Sequence, residues 1–132
     1  MPGLADTFEI PDKTFDLLIV GLGPAGVACA LQARRDGLDL LAVSDEPVGG
    51  LVRAARRLDN LPAEPGIAGG ELADKLAAHL ASAGVPMVSA HVSSLQREGT
   101  AFLATLADRR RVAARAVVLA TGTRPRAWEL SA

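Results

Sequence analysis

Apolar and amphipathic stretches alternate along the chain in the order expected of strands and helices. The uninterrupted apolar run at residues 17–20 predicts a strand buried on both faces. Apolar residues then recur at three- and four-residue spacings over 24–36, which predicts a helix that ends at Gly37. Residues 38–43 predict a second strand. The three segments form a βαβ unit, for which a right-handed parallel crossover is expected.

The rest of the chain predicts more of the same α/β architecture. Leucines recur every four residues over 71–83, which predicts an amphipathic helix. Further strands are predicted at 86–90, 92–97, 101–107, 111–113 and 116–120, the middle three as a small antiparallel meander. Within the loop-rich stretch 44–70, residues 51–58 predict one or two helical turns with Arg53, Arg56 and Arg57 on one face. That face is either solvated or binds phosphate.

A glycine fingerprint joins the first strand to the first helix. Gly21 permits a sharp turn, Gly23 lets backbone approach a pyrophosphate without an intervening Cβ, and Gly26 lets the helix pack close to the strand. Pro24 and Ala25 open the helix, whose N-terminus favours anions. The context of strand, turn and helix predicts a dinucleotide site, and a purely structural glycine turn is the alternative.

Dinucleotide sites of this kind use an acid at the end of the second strand to bind ribose hydroxyls. Here the predicted strand ends at Ser44, and Asp45 and Glu46 follow directly. The Ser44 hydroxyl offers one hydrogen bond to a ribose. Asp45 and Glu46 either turn back toward the ribose or remain solvated in the loop, and the sequence leaves both possibilities open.

Composition narrows the classes of function. A length of 132 residues suits one domain, and a net charge of −1 with three Phe, one Trp and no Tyr argues against nucleic-acid binding. One cysteine, Cys29, excludes an internal disulfide and is expected to be a small buried apolar residue. His79 and His91 lack a neighbouring carboxylate cluster, so no metal site is expected. Without a signal peptide or an apolar span, a cytoplasmic protein with no membrane association is expected.

Several motifs in a fixed order carry a family resemblance. GLGPAG is followed by SDEPVGG, LDNLP, a helix that begins GGEL, a meander and RAVVLATGTRPR. This order resembles the FAD domain of thioredoxin-reductase-like flavoproteins, within the pyridine nucleotide-disulfide oxidoreductase superfamily. The resemblance implies a Rossmann-like three-layer FAD/NAD(P)-binding domain with a parallel sheet and a small antiparallel meander. It covers residues 15–126, after a lead-in at 1–14 and before a tail at 127–132.

The resemblance also implies which residues contact FAD. The glycine motif would hold the pyrophosphate, and the segment around Gly49 and Gly50 would run along the cofactor. Asn60 would lie near the flavin, and the backbone of Val92 would contact adenine. The turn at residues 120–122 would close over the dinucleotide. The further candidates from these segments are Leu51, at a position where glutamine is common, and Ala120, Thr121 and Gly122.

The differences from the family pattern concern catalysis and completeness. No cysteine pair follows Gly49 and Gly50, and the sequence contains no second glycine fingerprint and no returning Gly-Asp segment. The resemblance therefore implies an FAD-binding subunit or fragment of an NAD(P)H-dependent flavin oxidoreductase, without catalytic side chains and lacking the C-terminal strand of its domain. A protein partner or self-association is expected at the exposed edge of the strand at 116–120, and Trp128 is a candidate interface anchor. The alternative is a non-catalytic dinucleotide-binding or interaction module.

Overall fold

A computed structural model describes residues 8–128 as two α-helices and six strands that form one mixed sheet. The elements follow the order predicted from the apolar pattern. Along the chain they are β1 (Thr14–Val20), α1 (Pro24–Arg35), β2 (Leu40–Ser44), a 3₁₀ helix (Gly50–Ala54), α2 (Gly69–Ser82), β3 (Met87–Ser89), β4 (Val92–Glu98), β5 (Ala101–Leu106) and β6 (Arg111–Leu119).

The sheet has the strand order β3-β2-β1-β6-β5-β4. Strand β1 lies near its centre and pairs in parallel with β2 on one side and with β6 on the other. Strand β3 extends the parallel part beyond β2, whereas β5 and β4 continue from β6 as antiparallel strands. The carboxyl ends of β1, β2, β3 and β6 therefore share one edge of the sheet, where ligands bind in folds of this kind.

Two apolar clusters lie on opposite faces of the parallel strands. Ile19 and Ala42 belong to the cluster beneath the helices, together with Ala30 of α1 and Leu80 of α2. Leu18 belongs to the cluster on the other face, which includes Ala104 and Leu106 of β5. Neighbouring residues of β1 point to opposite faces of the sheet, and residues 17–20 are buried on both faces. This burial explains why the run at 17–20 has no polar alternation. The predicted three-layer arrangement is confirmed.

Strand β6 corrects the prediction of separate strands at 111–113 and 116–120. Residues Arg111 to Ala114 pair antiparallel with β5, and the same strand continues beside β1 as far as Leu119. No glycine or proline interrupts the strand, and β5 begins only at Ala101, near the position opposite Ala114. The strand therefore changes its partners without a turn.

The predicted helix over 51–58 is also wrong beyond residue 54. The chain leaves the 3₁₀ helix because the carbonyl of Ala55 accepts from the Gly69 N–H (2.9 Å), and the N–H of Leu58 donates to Ile67 (2.8 Å). These bonds use backbone groups that a longer helix would need for itself. The expected common face of Arg53, Arg56 and Arg57 consequently does not form.

The ends of the predicted domain are only partly described. Phe8 and Ile10 pack against the cluster that contains Leu18, so the last part of the predicted lead-in covers the core. Trp128 is exposed, as an interface anchor requires, but its role stays a prediction. Residues 1–7 of the lead-in and 129–132 of the tail lie outside the described residues. Neither helix of the described part is long and apolar enough to cross a membrane.

Candidate functional site

The turn after β1 is tied to both neighbouring parallel strands. The Gly21 N–H donates to the Val43 carbonyl (2.8 Å), and the Ala120 N–H donates to the Val20 carbonyl (2.8 Å). Gly21 has a φ of +98°, which side chains rarely adopt, and a Cβ there would overlap the carbonyl of Ala120. The predicted turn role of Gly21 therefore has a structural cause, and the ATG segment is brought against the fingerprint.

The other two fingerprint glycines have different surroundings. A Cβ on Gly26 would overlap the carbonyl oxygen of Gly21, so the close approach of helix and strand requires glycine there. A Cβ on Gly23 would meet no protein atom within 4 Å, and its φ of −69° is available to any residue. The protein itself therefore does not require a glycine at position 23.

Gly23 is the N-cap of α1, and no side chain caps this helix in the described structure. The first turn contains no acidic residue, and Pro24 at its start has no N–H to donate. Unpaired backbone N–H groups and the helix dipole make such an end favourable for an anion. Ala25 is exposed in the same turn, so the surface around Gly23 is accessible.

The predicted Gly-Gly segment lies against this helix end. The N–H of Gly49 donates to the Leu22 carbonyl (2.8 Å), and a Cβ on Gly50 would lie 3.4 Å from the Cα of Gly23. Gly49 has a φ of +106° and packs so closely on α2 that a Cβ would come within 2.5 Å of the Ala73 side chain. The loop is thus fixed between the fingerprint and α2.

Arg53 reinforces the same loop, which the sequence did not predict. Its guanidinium donates to the Val48 carbonyl (3.0 Å) and to the Asp74 carboxylate (3.4 Å). Gly69 at the start of α2 allows close packing, because a Cβ there would overlap the Val52 carbonyl. Both hydrogen bonds of Arg53 are made to other groups of the protein, so this arginine stabilises the loop.

The carboxyl end of β2 carries the predicted ribose-binding candidates. The Ser44 hydroxyl donates to the Glu46 carbonyl (2.8 Å) and accepts from the Glu46 N–H (3.2 Å), so this hydroxyl stabilises its own loop. The Asp45 side chain contacts two segments outside that loop. Its Oδ2 atom accepts a hydrogen bond from His91 Nδ1 (2.8 Å) and lies 3.9 Å from the guanidinium of Arg124. Glu46 is exposed.

The hydrogen bond from His91 lowers the pKa of Asp45, and the charge of Arg124 adds to this effect against the opposing effect of desolvation. The amino-acid sequence does not predict this contact, because Asp45 and His91 are 46 residues apart. They meet because β2 and β3 are parallel neighbours, and the Ala90 N–H donates to the Ser44 carbonyl (3.1 Å).

An open cleft of about 410 Å³ adjoins the end of β2. Ser44, Asp45 and Glu46 line it, together with Leu22 from the glycine turn and apolar residues of β3 and its approach. The cleft therefore continues from the fingerprint toward the outer strand of the parallel part. Its polar residues are Ser44, Asp45 and Glu46 at the end of β2 and Ser89 at the end of β3.

The remaining residues that are predicted to contact FAD lie in several separate segments. Leu51 is exposed, Asn60 lies in the exposed loop after Leu58, and Gly122 follows β6 with a φ of +70°. Thr121 lies beside Gly21, whereas Val92 pairs with Leu106 at the start of β4. Their predicted roles toward FAD stay predictions.

Two expectations from the sequence concern the packing of Cys29 and the absence of a metal site. Cys29 is half-buried against the apolar cluster beneath the helices, consistent with a packing role. Between residues 8 and 128, no three potential metal-ligating side chains come together.

Comparison with known proteins gives the family. The sequence model for pyridine nucleotide-disulphide oxidoreductases matches residues 15–131. The chain belongs to this family. A thioredoxin reductase of Listeria monocytogenes is 30% identical over 115 residues, which cover 87% of this chain and 36% of that protein. A 34.2 kDa protein in the rubredoxin operon of Clostridium pasteurianum is 43% identical over 74 residues, which cover 56% of this chain and 24% of that protein.

Solved structures of family members agree with the fold. The thioredoxin reductase of Lactococcus lactis superimposes with a TM-score of 0.84 at 27% identity, over 88% of this chain and 38% of that one. The thioredoxin reductase of Streptococcus pyogenes gives a TM-score of 0.82 at 30% identity, over 87% of this chain and 37% of that one. The predicted family and fold are confirmed. The chain spans little more than a third of the length of these reductases.

Proposed function

We propose that this chain is the FAD-binding part of a thioredoxin-reductase-like, NAD(P)H-dependent flavin oxidoreductase. The observation that carries the proposal is the contrast among the fingerprint glycines. Packing within the protein requires Gly21 and Gly26, whereas the position of a Cβ at Gly23 is open space at the start of α1. A glycine at this position is explained by a ligand whose anionic group must come close to the backbone.

The surroundings fit the pyrophosphate of a dinucleotide. Two backbone segments, at Gly23 and at Gly50, lie side by side there. Neither segment presents a side chain at its closest point, and the first turn of α1 brings no acid that would repel phosphate. Gly23, Pro24, Ala25 and Gly50 would hold the pyrophosphate, and the segment after β2 would hold the adenosine.

In this proposal the chain binds and orients the cofactor and provides no catalytic side chain. FAD supplies the group that accepts hydride from a nicotinamide. The chain would bind and orient that cofactor, with Leu51, Asn60 and the ATG segment along its length. Cys29 is the single cysteine of the sequence, so a redox disulfide would need cysteines from elsewhere. We assign no catalytic side chain to the described residues.

The proposal includes a protein partner or a second copy at β6. In the described residues, the stretch from Arg115 to Leu119 pairs with β1 on one side, and no strand pairs with its other side. Leu119 is 65% exposed there. An open apolar edge favours pairing with another strand. A partner at this edge would complete the FAD domain and bring the NAD(P)H site.

Cofactor binding can be tested by titrating the purified chain with FAD, ADP and NAD(P)H in separate calorimetric experiments. The visible spectrum and flavin fluorescence of the FAD complex are recorded as well. We expect saturable binding of FAD and ADP, with a shifted flavin spectrum. The titrations are repeated with a family NAD(P)H domain and its C-terminal strand added as a second polypeptide. No FAD binding in either form refutes the proposal, and binding of NAD(P)H alone would instead indicate a non-flavin dinucleotide-binding module.

A further inference from the structure

The backbone of the Gly-Gly loop lies close to the open end of α1 and depends on outside contacts for its position. Gly49 and Gly50 have φ angles of +106° and +54°, and glycine is the residue with the most backbone freedom to lose. The Gly49 N–H donates to the Leu22 carbonyl (2.8 Å). A Cβ on Gly50 would lie 3.4 Å from the Gly23 Cα. A small shift of this loop would therefore change the space beside Gly23.

Arg53 connects the loop to α2. One terminal nitrogen of its guanidinium, Nη2, donates to the carbonyl of Val48, the residue directly before the two glycines (3.0 Å). The other, Nη1, donates to the Asp74 carboxylate (3.4 Å). Arg53 itself lies in the 3₁₀ helix that follows the loop, so one side chain links both ends of the loop to a second element.

We propose that Arg53 is a positioning residue for the pyrophosphate. Through the Val48 carbonyl it holds the Gly-Gly loop beside Gly23, and the Asp74 carboxylate orients its guanidinium. This inference rests on the proposed dinucleotide site. A loop that is already fixed loses little conformational freedom when a ligand binds, whereas an unfixed loop must be ordered at the expense of affinity. Removing the bonds of Arg53 should therefore weaken nucleotide binding.

A direct contact between Arg53 and phosphate is the competing role, and Asp74 distinguishes the two. If Arg53 bound phosphate itself, the Asp74 carboxylate would compete with the phosphate for the guanidinium. Asp74→Ala would then bind nucleotide more tightly. If Arg53 positions the loop, the same variant leaves the guanidinium less well oriented and binds nucleotide more weakly. The sign of the change is opposite for the two roles.

The test measures the Kd for ADP by calorimetry on the intact chain. Arg53→Met keeps an apolar stem but neither hydrogen bond, and it should raise the Kd about three- to tenfold. Asp74→Ala should raise it about twofold, because this ion pair is exposed. Arg53→Lys keeps one donor for the Val48 carbonyl and should recover part of the affinity.

Lys75→Met is the matched control. Lys75 is the next residue of α2 and forms an ion pair with Glu64 (2.7 Å), which lies outside the Gly-Gly loop. The variant removes an ion pair from the same helix, so it reproduces any general loss of packing around α2. Its Kd for ADP should equal that of the unmodified chain.

Hydrogen exchange of the chain without nucleotide gives a second readout. In Arg53→Met, the Gly49 amide should exchange at least about threefold faster, because the loop opens more often. The Ile19 amide, in the buried centre of β1, should exchange as before. A role of Arg53 in overall stability alone would instead speed exchange of both amides equally.

Several results would overturn the positioning role. These are an unchanged Kd in Arg53→Met, an equal rise in Lys75→Met, and equal acceleration of the two amides. Tighter binding by Asp74→Ala also overturns it and assigns Arg53 to the phosphate. Failure of the unmodified chain to bind ADP refutes the dinucleotide site and this inference with it. The expected pattern with ADP in a chain that does not bind FAD supports the role of Arg53 and refutes the flavin function alone.

Discussion

Replacing Gly23 with alanine tests whether a ligand, and not the protein, requires a glycine there. The added methyl group meets no protein atom within 4 Å, and a φ of −69° suits alanine. Alanine is a poorer N-cap than glycine by about 0.5–1 kcal/mol. The reduced freedom of the unfolded chain offsets this by about 0.4–1 kcal/mol. The free energy of unfolding should therefore change by less than about 1 kcal/mol, which is roughly 4 °C in Tm.

Nucleotide binding should respond much more strongly to the same change. The methyl group would occupy the space through which a pyrophosphate reaches the backbone N–H groups of α1. Loss of one hydrogen bond to a charged group costs about 1.5–3 kcal/mol. That loss corresponds to a Kd for ADP or FAD that is about 10 to 150 times higher. Calorimetric titration measures the Kd, and thermal denaturation of the same samples measures the stability.

Two further glycine variants are the controls. Gly70→Ala makes the same change in open space at the start of α2, and it should leave the Kd unchanged. Gly26→Ala places a methyl group on the Gly21 carbonyl and should destabilise the chain by about 1–3 kcal/mol, because backbone cannot move aside easily. The reasoning fails if Gly23→Ala binds as tightly as the unmodified chain, or if it unfolds as readily as Gly26→Ala.

Two other predictions concern association and pH. Leu119→Lys should weaken binding of a strand partner or a second copy, measured by sedimentation, whereas Leu38→Lys, at an exposed leucine before β2, should not. Equal effects of the two variants would argue against pairing at β6. For Asp45→Asn, the unmodified chain should be more stable, by less than about 1 kcal/mol, above about pH 4. Because His91 lowers the pKa of Asp45 in the folded state, unfolding takes up a proton as the pH falls, and the advantage should disappear below that lowered pKa. Urea denaturation across this pH range checks the sign, and an advantage that grows toward acid pH would contradict it.

Local patterns predicted the βαβ unit well. The apolar run of β1, the glycine turn and α1 each follow from contacts within a few residues of one another. The predicted limits of α1, 24–36, differ from the observed Pro24–Arg35 by one residue. The meander was also predicted from alternation and turn residues, although the pattern gave no sign that its third strand continues into the parallel part.

Contacts between distant segments decided the rest. The sequence contained the motif that includes Gly21, Gly23 and Gly26. It did not show which of these glycines the packing of the protein itself requires. Only the packed structure separates them, since the atoms that require Gly21 come from Ala120, about a hundred residues later. The 3₁₀ helix similarly ends where bonds to Ile67 and Gly69 replace helical ones.

The sequence by itself determined the family, the glycine turn and the order of the elements, because these depend on residue types at short spacings. The tertiary structure decided which glycine has open space beside it, which carboxylate oxygen is held, and where the sheet has an open edge. Those features depend on strand pairing and helix packing between residues far apart in the chain. The hydrogen bond of Asp45 with His91 is the clearest case, because parallel pairing of β2 and β3 brings the two residues together.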